Sequence, residues 1–521
     1  MQLHKQLFIY WRYYISSYGP KARARCVFCS VRAIINRGTS EDSSTTTGAN
    51  VGPLAKQALL LYLLRILYSW FSESRPCLQT KQESRMLSDH DSLVQAAPDP
   101  QTAALRLERM LEDGSLRKKL MGLPGDILRD FLAIISISNF LFHYMCRHPE
   151  TIDLLGTKYK SNRKSLAKIM NLDELRLYKY RELLKITWMD LSGTCEYREI
   201  LTALSDLAVG IMERTLQLCA RPDDLEIICD SMTVMALGKL GACELNYSSD
   251  IDLIFVTVNP EDSLMDYQVL QGLLIETVRS LNRALEEKTA EGFLYRVDLK
   301  LRPWGGSGPL VMAIDDTEHY YAASSEPWER FAWLRARAIA GSESLAVDLL
   351  SRLKPFIFMR SLGSDDLQHF VEIKDDMSKA RRRQGHWNVK VGQGGIRDIE
   401  FFIQMLQLVN ASQHDILQTT STLTALQGLR SCNFITPIEQ HELYSSYIYL
   451  RRLENRLQMF EENQTHDLPD DPVRRLTLAR SLLHNSELPD NDHILNDFED
   501  DLIAHQSIAA KYFNRILPMQ G

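Results

Sequence analysis

Asp250 and Asp252 stand two residues apart at the head of an apolar run, Leu253, Ile254, Phe255 and Val256. In a strand, residues two apart project from the same face, so these carboxylates would point together. The run behind them is apolar on both faces, as in a central, buried strand. Two carboxylates crowded at the mouth of such a strand repel each other and lose hydration, which is costly unless a cation neutralises them. Hard oxygen ligands suit Mg²⁺, which keeps several waters and takes further ligands from substrate phosphates. A third carboxylate, Asp298, sits in residues 295–303 (YRVDLKLRP), where Val297, Leu299 and Leu301 alternate with Arg296, Asp298, Lys300 and Arg302. Three aspartates on neighbouring strands could hold two metal ions about 3.5–4 Å apart, a clamp for in-line phosphoryl displacement. Lys300 and Arg302 would then neutralise charge developing on the phosphates.

Upstream, Gly238 and Gly241 flank Lys239 and Leu240 directly after a strand pattern. Glycines there let backbone approach a phosphate, and the N–H groups of such a turn can cradle it. Ser248 and Ser249 would add hydroxyl donors. The pattern is neither a P-loop nor a dinucleotide GxGxxG. Taken alone, a DxD is more often a turn device at a strand end. Here the glycine turn, the DxD and the third aspartate follow in order between residues 238 and 298, which favours catalysis.

Residues 391–409 (VGQGGIRDIEFFIQMLQLV) lead from glycines into a helix whose apolar arc leaves a narrow stripe of Arg397, Glu400, Gln404 and Gln407. Such a stripe must find partners, either at the active site or in a network between helices. Residues 328–337 (WERFAWLRAR) carry Arg330, Arg335 and Arg337, either on a phosphate- or base-facing helix or as snorkelling arginines of an amphipathic one. The basic run at 379–383 reads as a solvated helix face or a contact for an acidic partner. The thirteen histidines form no HxxxH or His/Asp arrangement, and no nucleophile triad is evident.

These residues need elements to position them. A chain of 521 residues exceeds one ordinary core, so two or three packed units are expected. A net charge of −7 argues against wholesale nucleic-acid binding. Nine scattered cysteines with a single CxxC, Cys26 and Cys29, complete no zinc site and fit a reduced, cytoplasmic compartment. The first forty residues carry seven lysines and arginines and no acid, so a transit peptide is one reading. A disordered tail or an early start codon is the favoured one. The apolar stretch 58–64 lies between Lys56 and Arg65 and is too short to span a membrane. No secretory or transmembrane segment and no internal repeat is visible. The expected organisation is a basic leader and polar linker (1–95), a helical region (96–222), a small α/β catalytic domain (223–345) and a helical bundle (346–521). Strands are expected at 233–237, 251–258 and 294–301, with a helix at 267–288. The fold class is therefore α+β, mostly helical, with an α/β domain embedded between helical bundles.

Five segments, GKLGACELNYSSDIDLIF, GFLYRVDLKLRPWGGSGPL, WERFAWLRARAIAG, GQGGIRDIEF and LRRLENRLQMFEENQTHDLP, occur in this order. Together they resemble the glutamine synthetase adenylyltransferase/adenylyl-removing family from about Gln101 to the C-terminus; residues 1–95 have no counterpart. The resemblance implies a polymerase-β-like nucleotidyltransferase domain. Members of that family carry two catalytic halves: one attaches AMP from ATP to a tyrosine of glutamine synthetase, the other removes it by phosphorolysis, releasing ADP. This chain has room for one half, and ELNYSSDIDLIF with LENRLQMFEENQTH is most like the N-terminal, adenylyl-removing one. Carried over, Asp250, Asp252 and Asp298 become the Mg²⁺ ligands, Gly238, Lys239, Ser248 and Ser249 border the phosphates, and Arg302 faces the nucleotide. Gly241, Lys300, Arg397 and Glu400 complete the expected nucleotide- and phosphate-binding set. Asp398 stands where the family more often has glutamate. Cys243 stands where it more often has arginine, which removes one phosphate contact. The implied partners are glutamine synthetase, ATP or ADP and phosphate, with a PII-type signal protein as candidate regulator and no nucleic acid or membrane. The alternatives are ATP-dependent adenylylation by the same site, or a non-catalytic module docking glutamine synthetase or PII.

Overall fold

The computed structural model describes residues 91–359, 388–460, 463–483 and 490–515, together with residues 372 and 379. Residues 1–90 and 380–383, which hold nearly all of the leader and of the basic run, lie outside the described set. Gln82–Gly521 clusters as one compact unit.

Its described elements are mostly helices around one small mixed sheet, the architecture expected from the sequence. Two long helices, α1 (Leu172–Ser192) and α2 (Tyr197–Cys219), dominate the first helical region. α1 starts where Asn171 accepts the N–H of Glu174 and stops at Gly193, whose φ of 64° is the left-handed cap favoured by glycine. α2 opens with a capping box formed by Glu196 and Glu199.

The sheet follows. β1 (Met232–Ala236) pairs antiparallel with β2 (Ile251–Thr257), Val234 standing opposite Phe255. After helix α3 (Tyr267–Glu286) come β3 (Val297–Asp298) and β4 (Val311–Ala313), both parallel to β2. Since β1 occupies one edge of β2, β3 and β4 divide the other, β3 at its start and β4 at its end. Helix α4 (Ile314–Ala323) leads on to β5 (Arg337–Gly341), which closes the order β3-β2-β1-β5.

β2 is buried on both faces. Leu253 and Phe255 join a core with the first helical region and α3, while Ile254 and Val256 join Tyr321, Trp333 and Leu349 on the other side. That explains the unbroken apolar run, and each such side chain contributes about 1.5–3 kcal/mol of burial. A strand so anchored can carry carboxylates at its head. Beyond α5 (Glu343–Lys354), the bundle is built from α6 (Ile396–Asn410), α7 (Thr422–Ser431), α8 (Pro437–Met459), α9 (Pro472–Leu482) and α10 (Asn491–Arg515) around its own core.

Two local expectations need correction. The strand expected at 294–301 shrinks to Val297–Asp298. Beyond it, the Lys300 N–H donates to Asp298 Oδ1 at 2.8 Å, and the Arg302 guanidinium donates to the carbonyls of Leu299, Gly306 and Gly308 at 2.6, 3.0 and 3.1 Å. Side-chain-to-backbone bonds of this kind compete with a ladder. In residues 328–337 only Glu329–Trp333 is helical, and Arg337 begins β5. No helix among the described residues is long and apolar enough to cross a membrane.

Candidate active site

β1 ends in a sharp turn into a one-turn helix, Gly238–Gly241. Gly238 has a φ of 56°, and a Cβ on it would collide with the Asp252 carboxylate. Glycine is therefore required both for the backbone conformation and for the approach of Asp252. The parallel register of β2 and β3 sets Asp252 beside Asp298.

Each outer carboxylate already has a base. Arg296 Nε donates to Asp250 Oδ1 at 2.6 Å, and Arg296 Nη2 donates to the carbonyl and hydroxyl of Ser248 at 2.7 and 2.9 Å. Asp298 accepts from Lys300 Nζ at 3.3 Å. Among the described residues, no base pairs with Asp252 in this way. Burial and the charges of Asp298 and Asp250 push its carboxyl up to about 6, against the partial pull of Lys390 and Lys239. An open cleft of about 380 Å³ spreads over Asp250, Arg296, Asp298, Lys300 and Arg302, with Asn282 and Glu286 of α3 on its wall. Asp252 is not part of that lining. Glu286 Oε1 accepts the Val297 N–H at 3.1 Å, which ties α3 to β3.

Several residues expected at the phosphates are engaged elsewhere. Lys239 turns away from the cleft, its Nζ donating to both Glu454 oxygens on α8 at 2.7 and 2.9 Å. Burial lowers this ammonium to about 8 despite Glu454. Burial also opposes ionisation of Glu454, but Lys239, His466 and Arg451 outweigh it and hold the carboxyl well below its usual range. The Ser248 N–H donates to Gln458 Oε1 at 2.8 Å, and Ser249 is only partly exposed. A Cβ at Gly241 would meet the carbonyls of Arg335 and Ala236, so this glycine serves close packing. Arg302 lines the cleft but spends its N–H groups on the loop carbonyls given above.

The polar stripe of α6 is taken up between elements. Glu400 accepts from Arg335 at 3.2 Å and from the Tyr447 hydroxyl at 3.3 Å. Burial works against its charge, yet Arg335, Lys239 and Arg451 leave its carboxyl lowered. Gln404 donates to the Phe331 carbonyl, and Gln407 to those of Leu417 and Thr419. Arg397 is exposed at the start of the helix. Asp398, fully buried, accepts the Gly394 N–H at 2.8 Å. The arginines of 328–337 do not snorkel: Arg330 and Arg335 are buried, and Arg337 donates to the carbonyls of Leu240 and Gly241.

Sequence reasoning passed over Asn282, Glu286 and Lys390. The first two had a signal, polar residues four apart on one face of an amphipathic helix. Lys390 had none, because it lies 138 positions from the aspartate whose charge it offsets.

The donor set is all oxygen, and burial together with the neighbouring carboxylates raises Asp252, which fits a hard divalent cation. Among the described residues no group of three or more His, Cys, Asp or Glu stands at ligating geometry. Asp250 and Asp298 are instead paired with Arg296 and Lys300.

Residues 128–352 match the family model described as glutamate-ammonia ligase adenylyltransferase, and residues 369–515 match one described as GlnD PII-uridylyltransferase. The bifunctional glutamine synthetase adenylyltransferase/adenylyl-removing enzyme of Thioalkalivibrio sulfidiphilus is 36% identical over 357 residues, covering 66% of this chain and 36% of the relative. Its namesake in Vibrio parahaemolyticus is 34% identical over 394 residues, 70% of this chain and 41% of the relative. That of Bradyrhizobium is 38% identical over 323 residues, 58% and 32% respectively. The chain thus spans between 32% and 41% of the length of these curated relatives. Residues 128–352, which hold the three aspartates, therefore belong to the glutamine synthetase adenylyltransferase family.

Proposed function

We propose that the chain is a Mg²⁺-dependent nucleotidyltransferase, with residues 223–345 as its catalytic domain. In this reading it removes AMP from the adenylylated tyrosine of glutamine synthetase by phosphorolysis, releases ADP and so regulates nitrogen assimilation. The observation that carries the reading is the pairing of Asp252 with Asp298 on parallel strands beside Asp250, with Asp252 pushed up to about 6 by its burial and then by its neighbours. Carboxylates left unbalanced next to a cleft are what a divalent cation would stabilise.

Asp250, Asp252 and Asp298 would hold Mg²⁺. When bound, the cation supplies Lewis-acid stabilisation of the phosphoryl oxygens and of the departing tyrosine oxygen. The chain's own part is positioning. Gly238 makes room for Asp252, Arg296 orients Asp250 through its shared bonds to Ser248, and Lys300 brings a positive charge to the cleft. Inorganic phosphate attacks the AMP phosphorus; the new P–O bond gives ADP, and the tyrosine oxygen leaves and takes its proton from solvent. Phosphate arrives as an anion, so no general base is needed, and no histidine lines the described cleft. The wording of residues 244–255 and 453–466 supports the adenylyl-removing half. The match of residues 369–515 to a PII-uridylyltransferase model supports a PII-type protein as regulator.

The test uses purified chain with Mg²⁺, phosphate and AMP-modified glutamine synthetase, beside an Asp250→Ala/Asp252→Ala control. ADP that appears only with the aspartates intact supports the reading. Pyrophosphate from ATP and unmodified synthetase would reverse the direction while keeping the site. Silence in both reactions from folded chain would overturn the enzymatic reading in favour of a docking module.

A further inference from the structure

The segment joining the one-turn helix Gly238–Gly241 to β2 has no helical or strand ladder of its own, yet residues 244–248 are buried. Backbone N–H groups in such a place must be satisfied from elsewhere. The Leu245 N–H donates to the Ser205 hydroxyl of α2 at 2.9 Å. The next two contacts come from one face of α8. The Tyr247 N–H donates to Asn455 Oδ1 at 3.1 Å, and the Ser248 N–H donates to Gln458 Oε1 at 2.8 Å. The same face adds Arg451, which donates to Asn246 Oδ1 at 2.6 Å and to the Glu244 carbonyl, and Glu454, which accepts from Lys239. All four of these α8 side chains are completely buried. One bundle helix therefore grips the loop from its first turn to the residue two before Asp250.

The grip reaches the carboxylate through a short chain of bonds. Gln458 holds the Ser248 N–H, the Ser248 carbonyl and hydroxyl hold Arg296, and Arg296 holds Asp250. We infer that Gln458 and, one step further out, Asn455 are positioning residues that set where Asp250 presents its carboxylate. Neither would touch the cation or substrate. The consequence is that the bundle helps to shape the aspartate site of the α/β unit. The inference rests on the metal-binding reading of Asp250, Asp252 and Asp298.

Gln458→Met keeps the side chain's length and removes the acceptor. Gln407→Met is its control, since Gln407 is also buried and braces a loop through its amide, but within the bundle and away from residues 239–248. Both full-length variants are expected to melt a few degrees below the parent. Mn²⁺ titration followed by electron paramagnetic resonance, below the lowest melting point, then separates the roles. Loss of a direct outer partner of a metal ligand costs on the order of tenfold or more in affinity; Gln458 acts two links further out, so Gln458→Met should bind Mn²⁺ several-fold more weakly. Gln407→Met should bind as the parent does. Asn455→Leu gives a second, smaller loss and carries the test if Gln458→Met does not fold. Parent-like Mn²⁺ affinity in folded Gln458→Met or Asn455→Leu would overturn the positioning role alone. Absence of Mn²⁺ binding by the parent would overturn the metal reading, and this inference with it.

Discussion

Two regions of the molecule collect charged side chains, and they are built on opposite principles. Along the contact between the α/β unit and the bundle, Lys239, Arg335 and Arg451 meet Glu244, Glu400 and Glu454, with pairs at 2.7 Å for Lys239–Glu454 and 3.2 Å for Arg335–Glu400. Each sign is matched, and the groups are nearly or fully buried. Around the cleft, Asp250 pairs with Arg296 and Asp298 with Lys300, while Asp252 forms no ion pair among the described residues and is offset only in part by Lys390 and Lys239. Balanced charge in the interior is scaffold. Unbalanced charge beside an open cleft is what the proposed cation would neutralise.

Substitutions that neutralise one carboxylate in each region should break the symmetry most visibly. Glu454→Gln leaves Lys239 without its ionised partner in a buried site, and losing one partner of a buried pair costs about 3–5 kcal/mol. Asp252→Asn removes a carboxylate that its surroundings oppose, so denaturant unfolding without metal should find it as stable as the parent or more so. A stability loss of Glu454→Gln size in Asp252→Asn would mean that Asp252 is scaffold as well.

Acidity sharpens the comparison further. The Asp252 carboxyl titrates at about 6, above its usual value near 3.8. Cation binding needs it ionised, so Mn²⁺ affinity should fall by about tenfold per pH unit below 6 and level off above. Stability without metal moves the other way. With the folded pKa raised, the contribution of Asp252 is fully present below the unfolded value and is lost as pH rises through 6. Affinity independent of pH between 5 and 7 would contradict this assignment.

The smallest effect belongs to the rim. Lys300 is 81% exposed in its pair with Asp298, so Lys300→Ala should change stability by no more than about 0.5 kcal/mol. It should instead weaken the apparent affinity for the phosphate co-substrate, read as a rise in KM with little change in kcat.

What could be read from the sequence follows the same division. Apolar runs and helical spacing were legible: β1 was expected at 233–237 and is Met232–Ala236, β2 at 251–258 and is Ile251–Thr257, and the helix at 267–288 is Tyr267–Glu286. Those signals come from burial, which leaves a local pattern. The alternation in 295–303 misled, because Arg302 recruits carbonyls of its own loop and an alternating pattern carries no trace of that. β4 and β5 went unforeseen, the first only three residues long and the second hidden in an arginine-rich segment. At the site, the aspartates stood out because their cost is local. The roles of Lys239 and Glu400 did not, since Lys239 meets a carboxylate 215 positions away and Glu400 an arginine 65 positions away. Pairing over such separations is a property of the packed chain, and residue type alone made both look like ligands for substrate.

The central claim, that Asp250, Asp252 and Asp298 form a divalent-cation site, is tested most directly by Mn²⁺ binding to the full chain beside Asp252→Asn, followed by electron paramagnetic resonance at pH 7. The account predicts binding by the parent, displaced by excess Mg²⁺ and lost in a variant that melts no lower than the parent. Equal binding by parent and variant would contradict it.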